Sequence, residues 1–231
     1  KSKDGADQRC RFHVSDEPTP ENLERYAFAS GVLKPLIKGY RTMDALSSYA
    51  FHEKGLVDCP VPATHHIEPF LENNVPNLWT YYCCGPTIGG SNRFFAMPGA
   101  RTRIIGTQFY KFNIVGFLQW GYNFYNLQYS IAPIDPYVVT DAGGGFPSGD
   151  SFAVYPAKDG NALASLRLKV FYDGFQDVMA LRLLESKIGR EKVLEFIDKD
   201  LFKPLTFMEY PHENEWLLET REKINQMIKE N

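Results

Sequence analysis

Short apolar runs alternate with helix-like stretches along most of the chain. Runs rich in aromatic and β-branched residues that are bounded by Gly, Pro, Asn or Asp predict strands, whereas apolar residues recurring every three or four positions predict helices. The predicted strands are 11–14, 41–46, 59–64, 77–84 and 115–124, and the predicted helices are 20–38, 49–57, 67–73, 101–113, 162–187, 191–201 and 213–229. This alternation is typical of βαβ units, so we predict an α/β protein with a parallel sheet.

Five strand units leave two architectures open. They fit an open doubly wound sheet, or the later part of a (β/α)8 barrel, which needs eight strands and about 250 residues. The segment 125–159 is predicted to be one long loop, because it holds several prolines and the glycines 143–145. Loops of this length in compact domains are usually functional or disordered.

Composition and charge exclude several classes of protein. The 231 residues are 44% hydrophobic and include 17 Phe, 13 Tyr and 3 Trp, enough to build a sizeable core. The formal net charge of -3 gives no basic footprint for nucleic acid. The most apolar stretch, 114–124, is interrupted by Gly and Gln, so we predict no membrane span. Residues 1–9 are polar and are predicted to be disordered or a linker, and this start resembles a cut through a longer protein.

No metal or cofactor site is predicted. The four cysteines form no CxxC pair, and the adjacent His65 and His66 are poorly placed to bind one metal together. The glycines 143–145 lack the Lys and Ser or Thr of a phosphate-binding loop. The cysteine content does not fix the compartment, and both a cytoplasmic and an exported protein fit.

Asp16 and Glu17 are adjacent in the segment 15–18, where the first predicted strand ends. In parallel α/β folds this end of a strand carries the functional groups. Two close carboxyl groups can divide their roles, one ionised and one protonated, as glycoside chemistry requires. An acidic loop that opens the next helix explains the same residues, because Asp and Glu favour helix N-termini. For both acids to reach one substrate, the backbone must leave strand geometry at Asp16.

Aromatic residues are concentrated on two of the predicted strands. Alternate strand positions share a face, which groups Trp79 with Tyr81 and Trp120 with Tyr122. Rings near a strand's carboxyl end can stack on sugars, and their polar atoms can bond hydroxyls or an amide; ordinary core packing explains the same rings. The candidate substrate-binding residues are Trp79, Tyr81, Tyr82, Trp120, Tyr122 and Asn123.

Four segments together resemble the catalytic region of glycoside hydrolase family 123 and of the bacterial proteins that share its C-terminal half. They are FHVSDEP (12–18), LWTYYCCGP (78–86), MPGARTRIIGTQFYKFNIVGFLQWGYNFY (97–125) and SLRLKVFYDGFQDVMAL (165–181). The resemblance implies a (β/α)8 barrel of which this chain carries about strands four to eight. It places the C-terminal part of the barrel in residues 10–190 and a helical extension in residues 191–231, with an N-terminal half or a second copy completing the barrel.

The same resemblance implies an exo-acting β-N-acetylgalactosaminidase that acts on a glycan or glycoconjugate without a cofactor. Its chemistry is retaining and assisted by the substrate's acetamido group, with Asp16 orienting that group and Glu17 as acid and base. Two other functions stay open. One is a non-catalytic carbohydrate-binding or assembly module, and the other is an α/β enzyme of unrelated chemistry that uses Asp16 or Asp150.

Overall fold

The computed structural model describes Gly5 and residues 9–231, so the predicted linker 1–9 lies, apart from Gly5 and Arg9, outside the described residues. The strands are β1 (Arg11–Phe12), β2 (Arg41–Ala45), β3 (Cys59–Val61), β4 (Trp79–Tyr82), β5 (Gly116–Gln119), β6 (Val154–Pro156) and β7 (Ala162–Ala164). The α-helices are α1 (Leu23–Leu36), α2 (Ala50–Glu53), α3 (Glu68–Glu72), α4 (Gly99–Arg103), α5 (Ile105–Lys111), α6 (Leu166–Ile188), α7 (Arg190–Asp198) and α8 (Asn214–Glu230). The chain divides into two compact units. The first unit consists of Lys1–Tyr81 with Ile114–Leu118, and the second unit consists of Tyr82–Asn113 with Gln119–Asn231.

Parallel strands form the first unit. β2 pairs in parallel with β1 on one side and with β3 on the other, and Ala45 lies opposite Val61. A parallel bridge joins Ala63 to Tyr81 of β4, and β4 is the neighbour of β5. Four of the five residues of β2 are buried, as expected for a central strand covered on both faces. The predicted α/β class is confirmed, and the strands of the described residues do not close into a barrel.

Two predicted boundaries in the second half of the chain are wrong. The strand predicted over 115–124 ends at Gln119, because Gly121 takes a φ of 58° and turns the backbone. The helix predicted from Ala162 begins at Leu166 instead. Residues 162–164 form β7, which pairs antiparallel with β6 inside the region predicted to be loop. Ser165 then caps the helix, and its hydroxyl accepts a hydrogen bond from the backbone N of Leu168 at 3.2 Å.

Helices build the core of the second unit around α6. Gly106 of α5 and Gly174 of α6 allow a close approach of the two backbones, because a Cβ at Gly106 would overlap the carbonyl oxygen of Gly174. The buried apolar cluster consists of Ala100, Ile104, Tyr110, Ala180, Leu181, Leu184, Val193, Ile197, Leu205, Leu217 and Ile224. Since α7 and α8 contribute to this cluster, the C-terminal helices pack on α6. No helix of the described residues is both long enough and apolar enough to cross a bilayer.

Asp177 ties three helices of the second unit together. Its nearly buried carboxylate accepts bonds from Arg103 Nε at 2.7 Å and from Arg221 Nη1 at 2.6 Å. Removing one partner of a buried ion pair costs about 3–5 kcal/mol. Because both arginines keep some solvent access, we expect Asp177→Ala to lower the free energy of unfolding by about 3 kcal/mol, the lower end of that range.

Urea denaturation followed by circular dichroism measures this loss. Asp173→Ala is the matched control, since Asp173 lies one turn earlier on α6 with an exposed side chain. The control should change the free energy of unfolding by no more than about 0.5 kcal/mol. Equal losses in the two variants would contradict a structural role for the Asp177 ion pairs.

Candidate active site

The two candidate acids follow the carboxyl end of β1 in the first unit. Both side chains are exposed. Glu17 has a φ of 42°, in the left-handed region, and its backbone N donates to the carbonyl oxygen of Ala45 at 2.9 Å. A residue other than glycine costs about 1–3 kcal/mol in such a conformation, which persists only where its surroundings hold it. The backbone therefore leaves strand geometry at the acid pair, and the end of β2 holds it there.

Tyr81 brings an aromatic ring to one of the acids. The hydroxyl of Tyr81 donates a hydrogen bond to Oε1 of Glu17, although 64 positions separate the two residues in the sequence. Tyr81 is buried within β4, and its backbone N donates to the carbonyl oxygen of Pro62 at 3.2 Å. The ring is therefore held by the sheet, and its hydroxyl fixes one oxygen of the Glu17 carboxylate.

Trp79 lies two positions before Tyr81 on β4 and is partly exposed. Its indole packs on the backbone of Gly116 in β5, where any side chain would overlap the ring. Glycine at position 116 therefore provides the space in which the indole lies.

A buried carboxylate that the sequence analysis did not single out contacts the backbone just before Asp16. Asp44 of β2 is fully buried, and its Oδ1 accepts from the backbone N of Val14 at 2.9 Å and of Ser15 at 3.3 Å. Its Oδ2 accepts from the Tyr26 hydroxyl at 2.5 Å, and Nδ1 of His13 lies 3.3 Å from Oδ1. Burial, and then the hydrogen bond to Asp44, raise the pKa of the Tyr26 phenol. The sequence signal that could have pointed to Asp44 is a single acidic residue inside the otherwise strand-like run 41–46.

The remaining aromatic candidates belong to the second unit. Tyr82 is fully buried, and its ring faces the Arg93 guanidinium at 5.2 Å. Trp120 is partly exposed, and its Nε1 donates to Oδ1 of Asp150 at 3.3 Å. Tyr122 and Asn123 follow it with exposed side chains. The structure thus places Tyr82 in the interior of this unit and leaves Trp120 partly exposed and Tyr122 and Asn123 exposed.

Asp150 accepts the hydrogen bond of the Trp120 indole and forms a buried ion pair with Arg93. Nη2 of Arg93 lies 3.2 Å from Oδ1 of Asp150 and also donates to the carbonyl oxygen of Trp120, again at 3.2 Å. Burial raises the pKa of the Asp150 carboxyl, and the Arg93 charge and the Trp120 hydrogen bond oppose that shift. A carboxylate that is fully buried and paired in this way orients neighbouring groups within its unit.

Neither a metal site nor a disulfide emerges from the residues that the structure describes. These residues contain no group of three or more His, Cys, Asp or Glu side chains placed to hold a metal ion. Sγ of Cys83 and Sγ of Cys84 lie 3.7 Å apart, and no disulfide joins them.

Comparison with known proteins gives two matches. The family model described as glycoside hydrolase 123, catalytic domain, matches residues 2–184. Among solved structures, the fold is similar to that of a family 123 glycoside hydrolase from Clostridium perfringens that was analysed for glycolipid glycan hydrolysis. The TM-score is 0.62 at 15% identity, and the match covers 95% of this chain but 40% of that chain, so this chain spans less than half the length of that enzyme. The search of curated proteins finds no match.

Proposed function

Because this chain belongs to glycoside hydrolase family 123, whose catalytic-domain model matches residues 2–184, we propose that it hydrolyses the bond to a terminal β-linked N-acetylhexosamine. N-Acetylgalactosamine is the favoured sugar. The proposed reaction is exo-acting, retains the configuration at the anomeric carbon, and uses the substrate's acetamido group together with Asp16 and Glu17.

One observation in the structure carries the proposal. Two adjacent carboxylates follow the carboxyl end of a parallel strand, and the second of them accepts a hydrogen bond from a tyrosine hydroxyl of β4. Acids at a strand exit beside an aromatic ring supply a proton donor, a negative charge and an apolar surface for a sugar face. This combination supports a glycosidase more directly than an acidic helix-entry loop does, since such a loop needs no ring.

In the proposed first step, the carbonyl oxygen of the 2-acetamido group attacks the anomeric carbon while the bond to the leaving oxygen breaks. Glu17 gives its proton to that oxygen. Asp16, ionised, accepts a hydrogen bond from the acetamido N–H and stabilises the positive charge of the cyclic oxazolinium intermediate. Water then attacks the anomeric carbon from the opposite face, Glu17 takes its proton, and the acetamido group is restored.

Within the first unit, Trp79 and Tyr81 are proposed to contact the sugar. Tyr81 is the better supported of the two, because its hydroxyl already bonds Glu17. The substrate-binding roles predicted for Tyr82, Trp120, Tyr122 and Asn123 in the second unit stay predictions.

We further propose that β1–β5 correspond to strands four to eight of a (β/α)8 barrel. The sequential order of β1, β2 and β3, their parallel pairing and the parallel bridge to β4 support this assignment. Residues 10–190 would then be the C-terminal part of the barrel, and residues 191–231 a helical extension. Further strand units or a second copy of the chain would complete the barrel.

The test compares two substrates of the native protein, an aryl β-N-acetylgalactosaminide and the matching galactoside that carries a 2-hydroxyl. Well-oriented intramolecular groups reach effective molarities of about 10⁵–10⁸ M, so we expect the acetamido substrate to turn over at least about 10³-fold faster. Equal turnover of the two substrates would refute participation of the acetamido group. Glycan binding without hydrolysis, unchanged by Asp16→Asn and Glu17→Gln, would favour the non-catalytic carbohydrate-binding module.

A further inference from the structure

Asp44 is a buried ionisable group that the proposed reaction does not use. It is fully buried in the middle of the first unit's sheet, where an unpaired carboxylate would carry a large desolvation cost. The groups around it must therefore donate hydrogen bonds to its two carboxylate oxygens. The nearest imidazole, that of His13, has a side chain that is 67% exposed.

Most of the hydrogen bonds to Asp44 come from the backbone of the loop that precedes Asp16 and Glu17. The N–H of Val14 lies 2.9 Å from Oδ1 and 3.2 Å from Oδ2, and the N–H of Ser15 lies 3.3 Å from Oδ1. Bonds from N–H groups to an ionised carboxylate are stronger than bonds between neutral groups. Val14 and Ser15 directly precede Asp16, so the charge of Asp44 acts on the backbone that presents the acid pair.

Ala45, which follows Asp44 on β2, makes a further hydrogen bond to this loop. The carbonyl oxygen of Ala45 accepts the bond from the Glu17 backbone N at 2.9 Å. Successive residues of β2 thus hold the loop before and after Asp16, and between them they fix the left-handed conformation of Glu17. A conformation of that kind relaxes when one of its anchors is removed.

We propose that Asp44 is a positioning residue for catalysis, which holds Val14 and Ser15 so that Asp16 and Glu17 face the same sugar. The role rests on the proposed glycosidase function. Asp44 touches neither substrate nor reacting atoms, so its loss should displace both acids together. A misplacement of about 1 Å can cost 10²-fold in rate.

The experiment combines kinetics with amide hydrogen exchange measured by NMR. Asp44→Ala removes every acceptor and is expected to lower kcat about 100-fold, with KM changed by less than about threefold. Asp44→Asn keeps one acceptor oxygen for the loop and is expected to rescue part of the rate, to about 10-fold below the native protein. Tyr26→Phe is the matched control, because it removes one hydrogen bond to Oδ2 of the same carboxylate and leaves both carboxylate oxygens available to the loop N–H groups.

Tyr26→Phe should lower the melting temperature while kcat stays within about threefold of the native value. In the native protein the amides of Val14 and Ser15 should be protected from exchange, and in Asp44→Asn their protection should fall. Rapid exchange of these amides in the native protein overturns the proposal without any variant. So does a kcat in Asp44→Asn that matches that of Tyr26→Phe. A native protein that cleaves no N-acetylhexosaminide but shows protected amides would instead remove the glycosidase function and leave the loop anchor in place.

Discussion

Glu17→Gln is expected to abolish most activity on substrates with poor leaving groups and to spare much of it on substrates with good ones. A glutamine cannot donate the proton that an alcohol or sugar leaving group needs, and general acid catalysis contributes about 10²–10⁴-fold. We therefore expect kcat/KM to fall about 10³-fold for a disaccharide. With a dinitrophenyl leaving group, whose departure needs no proton, the first step should slow by less than about 10-fold.

Pre-steady-state kinetics on both substrates measures this difference, because the role of Glu17 as base in the second step can limit kcat with the activated substrate. The matched control is Glu21→Gln, an exposed glutamate four positions later in the 3-10 helix that precedes α1. It should leave both rates unchanged. A loss in Glu17→Gln that is equal for good and poor leaving groups would assign to Glu17 a role other than proton transfer.

The position of Asp16 and Glu17 after a strand could be predicted from the sequence, but the contacts that hold them there could not. The strand-like run before Ser15 and the proline after Glu17 place both carboxyl groups at a strand exit. The left-handed conformation of Glu17 depends instead on Ala45, 28 positions later in the chain. Asp44 lies 30 positions after Val14, and contacts over such distances leave no local periodicity in the sequence.

Strand alternation explains why the neighbouring tyrosines of β4 differ. Successive side chains point to opposite faces, so Tyr81 reaches Glu17 while Tyr82 lies fully buried in the other compact unit. The aromatic run alone does not say which of the two faces an acid. The hairpin of β6 and β7 was missed because strands of three residues are too short to show a periodic pattern of apolar and polar positions.

Asp16→Asn, unlike Glu17→Gln, is expected to cause a similar loss of activity on every acetamido substrate, whatever the leaving group. The asparagine oxygen can still accept a bond from the acetamido N–H, so the variant removes the negative charge and keeps the shape. Removing one group that stabilises developing charge costs about 10²–10³-fold in kcat. We expect a loss of this size for both dinitrophenyl and disaccharide leaving groups, because the acetamido group closes on the anomeric carbon in both cases.

Substrate chemistry supplies the control for this variant. On a galactoside with a 2-hydroxyl, residual hydrolysis should be the same for the native protein and for Asp16→Asn, since there is no acetamido charge to stabilise. A loss confined to poor leaving groups would contradict the assignment and make Asp16 the proton donor. The Tyr81 hydroxyl donates to Glu17, and the neighbouring Asp16 has an exposed side chain. The two variants together decide which of these acids transfers the proton and which stabilises the positive charge.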